Sequence, residues 1–131
     1  VAAVSIDSQF THLAWRNTPI EQGGIGPVKY NLIADITHKI ARDYGILHSE
    51  SSGVALRAAF IIDKKGMVRA EIVNDLPIGR NIDEILRLFD AVEFFEQNGE
   101  VCPANWQAGD ATIKPTTEGI AAYLNDNADK L

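Results

Sequence analysis

The sequence predicts an α/β fold in which strands and helices alternate, a β-hairpin follows, and a long helix packs on the sheet. Three observations predict it. Residues 1–7 form an apolar run that ends at a polar residue, which is typical of a buried strand. Residues 56–74 contain two apolar runs separated by the turn sequence Lys-Lys-Gly. Residues 82–98 carry apolar side chains at the 3.6-residue period of a helix.

A first helix and a loop follow the opening strand. Ser8 is a suitable N-cap for a helix over residues 9–17, and Pro19 ends that helix. Residues 20–31 are rich in glycine and are predicted to form a loop. A buried strand needs neighbours on both sides, and a natural protein seldom begins with one. We therefore expect a further segment before Val1.

A second strand–helix pair comes next. Residues 32–35 are predicted to form a short strand. Thr37 is a suitable N-cap for a helix that runs to about Tyr44, and Gly45 is its expected C-terminal stop. Residues 46–54 are polar and are expected to be irregular.

The hairpin and the long helix have the clearest signals. Strands are predicted at residues 56–63 and 67–74, on either side of the turn. Asn81 is the predicted N-cap of the long helix, Glu84 three residues later completes a variant of the capping box, and Gly99 ends the helix. Its periodic apolar residues are Ile82, Ile85, Leu86, Phe89, Val92 and Phe95.

The composition changes after Trp106, where Gly, Asp, Lys, Pro and Thr become frequent. We therefore divide the chain into residues 1–106, which form the globular part, and residues 107–131, which form a C-terminal arm. The arm is predicted to end in a short helix over residues 118–125 that Thr117 caps. A chain of 131 residues is long enough for one core and too short for two.

The charge and the cysteine count exclude several classes of protein. Twelve basic and 18 acidic side chains give a formal charge of −6, which argues against nucleic acid and anionic membrane surfaces as partners. No apolar run approaches the roughly 20 residues of a transmembrane helix. One cysteine fits a reducing, cytoplasmic setting, and His12, His38 and His48 lack the close spacing of metal ligands. We expect neither a metal nor a cofactor.

Cys102 is the first candidate for chemistry, because it is the only cysteine. A redox role for a single thiol requires a second sulfur elsewhere. Pro103 keeps Cys102 out of helical dihedrals, so the thiol lacks the helix N-terminus that would lower its pKa, and no Lys or Arg is close in sequence. This favours a resolving role, in which the thiol attacks a sulfur that is already oxidised. The alternative is a buried, inert cysteine.

Two arginines occupy unusual positions. Arg57 lies in a strand of apolar residues and must reach an anion or a polar cavity, since an unpaired buried charge is costly. The alternative is an ion pair with a carboxylate of the neighbouring strand. Arg80 comes just before the long helix, where the helix dipole disfavours a cation, so we expect another partner for it. The alternative is a solvated side chain at a turn.

The remaining candidates are more simply explained as structural. The glycine-rich sequence at residues 23–26 neither follows a strand nor opens a helix, so it is a weak phosphate-loop signal. The three histidines have no nucleophile beside them in sequence, and Trp15 and Trp106 are expected to pack in the core or at an interface. The acidic residues of the long helix are predicted to form a solvated face: Asp83, Glu84, Asp90, Glu93 and Glu96.

Several motifs nevertheless stand in a familiar order. In that order they resemble the typical 2-Cys peroxiredoxins, including the bacterial alkyl hydroperoxide reductase C-type subunits, over essentially the whole chain. The motifs are Ser5-Ile6-Asp7-Ser8, Phe10-Thr11-His12-Leu13-Ala14-Trp15, Gly23-Gly24-Ile25-Gly26, Leu56-Arg57 leading into Phe60-Ile61-Ile62-Asp63, Val73-Asn74-Asp75-Leu76-Pro77-Ile78-Gly79-Arg80, and Gly99-Glu100-Val101-Cys102-Pro103-Ala104.

The resemblance implies a thioredoxin-like fold, incomplete at its N-terminus, and a thiol peroxidase that reduces hydrogen peroxide and alkyl hydroperoxides. Cys102 matches the family's resolving cysteine. Arg57 matches the arginine that stabilises the peroxidatic thiolate and polarises the peroxide, and Arg80 matches a second arginine that supports the first. The family's Pro-x-x-x-Thr-x-x-Cys segment, which carries the peroxidatic cysteine, is absent from the 131 residues and is expected before Val1. We expect these residues alone to be inactive.

The resemblance also implies partners. These are a homodimer with an intersubunit disulfide, a ring of such dimers, and a thioredoxin-like or flavoprotein reductase that restores the thiols. Two other interpretations stay open, an oligomeric thioredoxin-like scaffold or holdase, and an inactive fragment.

Overall fold

The computed structural model describes residues 1–49 and 52–128. The predicted order of strands and helices is confirmed, including the short helix predicted near the end of the arm. The elements are β1 (Ala2–Ser5), α1 (Gln9–Asn17), β2 (Asn31–Ala34), α2 (Lys39–Asp43), β3 (Arg57–Ile62), β4 (Val68–Asn74), α3 (Ile82–Asn98) and α4 (Thr117–Asp126).

The chain divides into two compact units. The first consists of Val1–Ala58 and Val73–Gly79, and the second of Ala59–Ile72 and the described residues from Arg80 onward.

The first unit is built on two parallel strands. β1 pairs with β2 from Ala2 opposite Asn31 to Ser5 opposite Ala34. The prediction that the opening strand is buried is wrong for the described residues, because Val4 is 46% exposed. Within residues 1–49 and 52–128, β1 has β2 as its one strand neighbour, and that pairing leaves alternate side chains of both strands at the surface.

Helix α1 begins and ends where the sequence predicts. The Ser8 hydroxyl accepts a hydrogen bond from the backbone N–H of Thr11 at 3.1 Å, which confirms the N-cap. The buried residue of α1 is His12, whose Nε2 lies 2.7 Å from the Ser5 hydroxyl at the end of β1. The following segment, predicted as a loop, contains a short 3-10 helix at Ile20–Gln22.

Helix α2 begins differently from the prediction. Thr37 was the expected cap, but the N-cap position is His38, whose φ is 57°, and the capping side chain is Asp35. One Asp35 carboxylate oxygen accepts the N–H of Ile40 at 3.0 Å and the other accepts the N–H of Ala41 at 2.8 Å. A carboxylate with two oxygens satisfies two free donors of the first turn and complements the helix dipole, which a single hydroxyl does less well.

The Asp35 carboxylate is also deeply buried, with 3% of the residue exposed. Burial alone would raise the pKa of the Asp35 carboxyl. The backbone hydrogen bonds from Ala41 and Ile40, with the charge of His38, more than offset that effect and hold the pKa below its ordinary value.

The second unit contains the turn of the hairpin. The Asp63 carboxylate accepts hydrogen bonds from the backbone N–H groups of Lys65 at 2.8 Å and Met67 at 2.9 Å. Gly66 has φ 79°, a conformation that favours glycine, so the predicted turn is confirmed. Side chains of β3, β4 and α3 line a common space, so α3 packs on the hairpin; they include Ile61, Ile72 and Leu88.

Helix α3 has the predicted bounds. The Asn81 side chain accepts from the N–H of Glu84 at 3.2 Å, and Gly99 ends the helix with φ 69°. Part of the predicted apolar stripe lies half-buried, including Ile85 and Val92. Four of its members are at least half exposed in the described structure: Ile82, Leu86, Phe89 and Phe95.

The C-terminal segment is less extended than predicted. Ile113 returns to Val101 and forms an isolated antiparallel bridge with backbone hydrogen bonds of 2.8 and 2.9 Å. The cap of α4 is Thr116 and not Thr117, since Thr116 has extended dihedrals and its hydroxyl accepts from the N–H of Gly119 at 3.0 Å. Within the part of the chain that the structure describes, no helix combines the length and apolar character needed to cross a membrane.

The double cap at Asp35 leads to a stability prediction. Asp35→Ala is expected to lower the free energy of unfolding by about 2 kcal/mol at pH 7, because two backbone donors lose their acceptor. The loss should shrink as the pH falls through the depressed pKa of Asp35, below its ordinary value of about 3.9, since the wild-type carboxylate then takes up a proton. Urea unfolding at pH 7 and pH 3 measures both effects.

The matched control is Asp43→Ala, which removes an exposed ion pair with Lys39 from the same helix. It should change the free energy of unfolding by less than about 0.5 kcal/mol. Equal losses in the two variants, or a loss at Asp35 that does not depend on pH, would contradict the capping role.

Candidate site around Cys102

Cys102 lies in the second unit, four residues after the end of α3. The thiol is partly buried, and its sulfur is 3.8 Å from the backbone carbonyl of Ala91, a weak hydrogen bond to the helix. The residue before it, Val101, is fixed by its two hydrogen bonds to Ile113. The thiol therefore rests against the side of α3 and not at a helix N-terminus, as the sequence predicts.

Two opposing effects set the acidity of the thiol. Burial raises the pKa of Cys102 above its ordinary value, and the positive charge of Arg87 opposes that rise without cancelling it. The thiol is consequently protonated at neutral pH. A thiol that attacks peroxide needs a lowered pKa, so this setting does not activate Cys102 for that attack.

Arg87 is the charged neighbour of Cys102 that sequence reasoning missed. It lies 15 positions before Cys102, and no local pattern links the two residues. Its Nε and Nη2 donate to the two carboxylate oxygens of Glu84 at 2.6 and 2.7 Å. The Glu84 side chain, predicted to lie on a solvated face, is partly exposed, and the structure adds that its carboxylate forms this bidentate pair with Arg87.

The third nitrogen of Arg87 reaches the loop that contains Cys102. Its Nη1 donates to the backbone carbonyl of Trp106 at 3.1 Å. Trp106 is 2% exposed, which confirms the prediction that it packs in the core. Its ring lies 5.3 Å from the ring of Phe94, at an interplanar angle of 53°, and its indole N–H donates to the carbonyl of Asp110 at 3.2 Å.

Arg57 lies in the first unit and is exposed. Its Nε donates to the backbone carbonyl of Leu76 at 3.1 Å, in the turn after β4. The alternative of an ion pair with a carboxylate of the neighbouring strand is not seen within residues 1–49 and 52–128. The contact with the Leu76 carbonyl fixes the Arg57 side chain. Among the described residues, no carboxylate pairs with its positive charge.

Arg80 lies in the second unit, with Cys102, and is exposed at the turn before α3. A common anionic target of Arg57 and Arg80 stays a prediction. Among the described residues there is no cluster of three or more His, Cys, Asp or Glu side chains placed to hold a metal ion.

Comparison with solved structures identifies the fold class. The reduced 2-Cys peroxiredoxin of Plasmodium vivax matches with a TM-score of 0.89 and 49% sequence identity, covering 95% of this chain and 63% of that one. A Plasmodium yoelii Prx1a, modified at its N-terminus and described as forming an artifactual octamer, matches with a TM-score of 0.68 and 55% identity over 81% of this chain and 60% of its own. The predicted thioredoxin-like, peroxiredoxin-type fold is confirmed.

Sequence comparison gives the family. The AhpC/TSA family model matches residues 1–71, and the model of the C-terminal domain of 1-Cys peroxiredoxin matches residues 91–126. The chain belongs to the AhpC/TSA family, and its resemblance to the peroxiredoxins is confirmed. Alkyl hydroperoxide reductase C of Helicobacter pylori strain J99 is 54% identical over 131 residues, which are 100% of this chain and 65% of that protein. The chain thus spans less than two thirds of that relative.

The buried setting of Cys102 predicts slow alkylation. In the folded protein with Cys102 as its only thiol, the pH midpoint of the reaction with iodoacetamide should lie above the ordinary value of about 8.5. The same measurement in urea is the control, because unfolding removes the burial that raises the pKa. Equal midpoints in the folded and unfolded protein would show that the environment of Cys102 has no effect on its acidity.

Proposed function

We propose that these residues belong to a subunit of a thiol peroxidase that reduces hydrogen peroxide and alkyl hydroperoxides, and that Cys102 is its resolving cysteine. The observation that carries the proposal is the setting of Cys102 in a chain of this family. The sole cysteine matches the family's resolving position, and its thiol is partly buried with a raised pKa.

The chemistry requires two different thiols. A peroxidatic thiolate attacks one peroxide oxygen, becomes a sulfenic acid, and releases water or an alcohol once the leaving oxygen is protonated. The Cys102 thiol then attacks that sulfenic sulfur; an S–S bond forms, the S–OH bond breaks, and the hydroxyl leaves as water with the thiol proton. The acidity of Cys102 suits the second step better than the first.

The peroxidatic cysteine is proposed to lie outside these 131 residues, which contain a single cysteine. The 65% coverage of the Helicobacter pylori relative supports this, since it leaves room for a further segment in a protein of similar length. The 131 residues alone would then be inactive toward peroxide.

Arg57 is proposed to stabilise the peroxidatic thiolate and the developing oxyanion, with Arg80 in support. Arg57 is suited to this because its Nε is anchored on the Leu76 carbonyl while the guanidinium stays exposed. A positive charge held in place acts on an anion without the cost of reorganising at the moment of reaction.

The assembly is proposed to be a homodimer joined by disulfides between Cys102 of one subunit and the peroxidatic cysteine of the other, with dimers arranged in a ring. The octamer described for the N-terminally modified Plasmodium yoelii Prx1a supports a homo-oligomer. A thioredoxin-like or flavoprotein reductase, a cytoplasmic location, and the division into a globular part at residues 1–106 and an arm at 107–131 belong to the same proposal.

The covalent dimer is the direct test. The full-length gene product, treated with hydrogen peroxide and run on a non-reducing gel, should form a dimer that reductant removes. Cys102→Ser should abolish that dimer while one equivalent of peroxide is still consumed, since the first thiol is intact. A dimer that persists in Cys102→Ser would refute the resolving role. Absence of any peroxide consumption by the wild type would favour a scaffold or an inactive fragment.

Arg57 has its own prediction. Arg57→Met should slow the reaction with peroxide by about 100-fold, the size of effect seen when a preorganised donor to a developing anion is removed. Stopped-flow measurement of peroxide consumption checks it. Arg69→Met is the matched control, because Arg69 pairs with Asp63 in the hairpin turn. Similar rates in the two variants would contradict the assignment of Arg57.

A further inference from the structure

One side of α3 holds the loop that contains Cys102. Residues 84, 87, 91 and 94 follow the 3-4-3 spacing of one helix face and are half-buried. Arg87 binds the Trp106 carbonyl, the Ala91 carbonyl faces the Cys102 sulfur, and Phe94 packs on the Trp106 ring.

The contact between Arg87 and the Trp106 carbonyl is the shorter of the two hydrogen bonds in this set. Trp106 is 2% exposed, so its carbonyl has little access to water. A buried carbonyl that loses its donor suffers the full desolvation penalty, so this bond matters more than a surface hydrogen bond would. Glu84 holds two further nitrogens of Arg87 and thereby fixes the direction of the third.

We propose that Arg87 is the positioning residue for Cys102, because its hydrogen bond to the Trp106 carbonyl keeps the loop closed on α3 and the thiol against the Ala91 carbonyl. The link to function rests on the proposed resolving role of Cys102. Arg87 itself touches neither peroxide nor the second sulfur in this scheme. It sets how often the thiol leaves the helix and becomes free to form the S–S bond.

Arg87 has two effects on the alkylation rate of Cys102, and the two effects oppose each other. As a clamp, Arg87 shields the thiol, so its loss exposes Cys102 and speeds alkylation. As a charge, Arg87 favours the thiolate, so its loss raises the pKa further and slows alkylation. The clamp is expected to dominate because it controls both the access of the reagent and the burial of the thiol.

The test uses the full-length protein with Cys102 as its only thiol and no peroxide. Iodoacetamide alkylation at fixed pH should be about tenfold faster in Arg87→Met, since the buried carbonyl then lacks its donor. Arg87→Lys should stay within about threefold of the wild type, because an ammonium group can still donate to that carbonyl. In a background in which Trp106 is the only tryptophan, its emission should shift to the red in Arg87→Met only. Arg69→Met is the matched control and should change neither quantity.

Slower alkylation of Arg87→Met with unchanged Trp106 emission would overturn the proposal and leave Arg87 as a charge alone. Rates equal to those of Arg69→Met would overturn it as well. If Arg87→Met fails to fold, Glu84→Gln is measured in its place. This variant should speed alkylation by about threefold, because the neutral amide is a weaker partner that orients Arg87 only in part. An unchanged alkylation rate in Glu84→Gln would refute the clamping role of Arg87. Because no peroxide is used, this outcome is independent of the covalent-dimer test.

Discussion

The hydrogen bond from Arg87 to the Trp106 carbonyl is the contact on which the Cys102 loop depends. Burying the Trp106 ring against Phe94 removes apolar surface from water, but it also takes the residue's backbone out of water. Arg87 supplies the donor for that carbonyl, and Glu84 balances the charge that Arg87 brings to a half-buried face. The packing of Trp106 on Phe94 and the hydrogen bonds of Arg87 therefore depend on each other.

The sequence predicts best what is decided locally. The bounds of α3, its Asn81 cap and its Gly99 stop depend on residues within a few positions of one another, and all are confirmed. The caps of α2 and α4 were misplaced, because the choice between Thr37 and Asp35, or between Thr117 and Thr116, depends on backbone dihedrals that residue type does not fix.

The candidate site shows the same limit over a longer distance. The position of Cys102 before a proline predicts an unactivated thiol, and its raised pKa agrees with that. Helical periodicity places Glu84 and Arg87 on one face of α3 but does not say what lies across from it, so Glu84 was assigned to solvent and Arg87 was overlooked. The roles proposed for Arg57 and Arg80 come from family resemblance, since sequence alone offers them several partners.

The bridge between Val101 and Ile113 limits the reach of the thiol. Consecutive Cα atoms are about 3.8 Å apart, and Cys102 directly follows the pinned residue Val101. Even when Trp106 leaves its place on α3, the one-residue link to Val101 limits how far the Cys102 sulfur can move. A second sulfur must therefore come within a few ångströms of this point, or the two hydrogen bonds of the bridge must break first to lengthen the link. This short link favours a reaction in which the second sulfur moves to Cys102 over one in which Cys102 moves to the second sulfur.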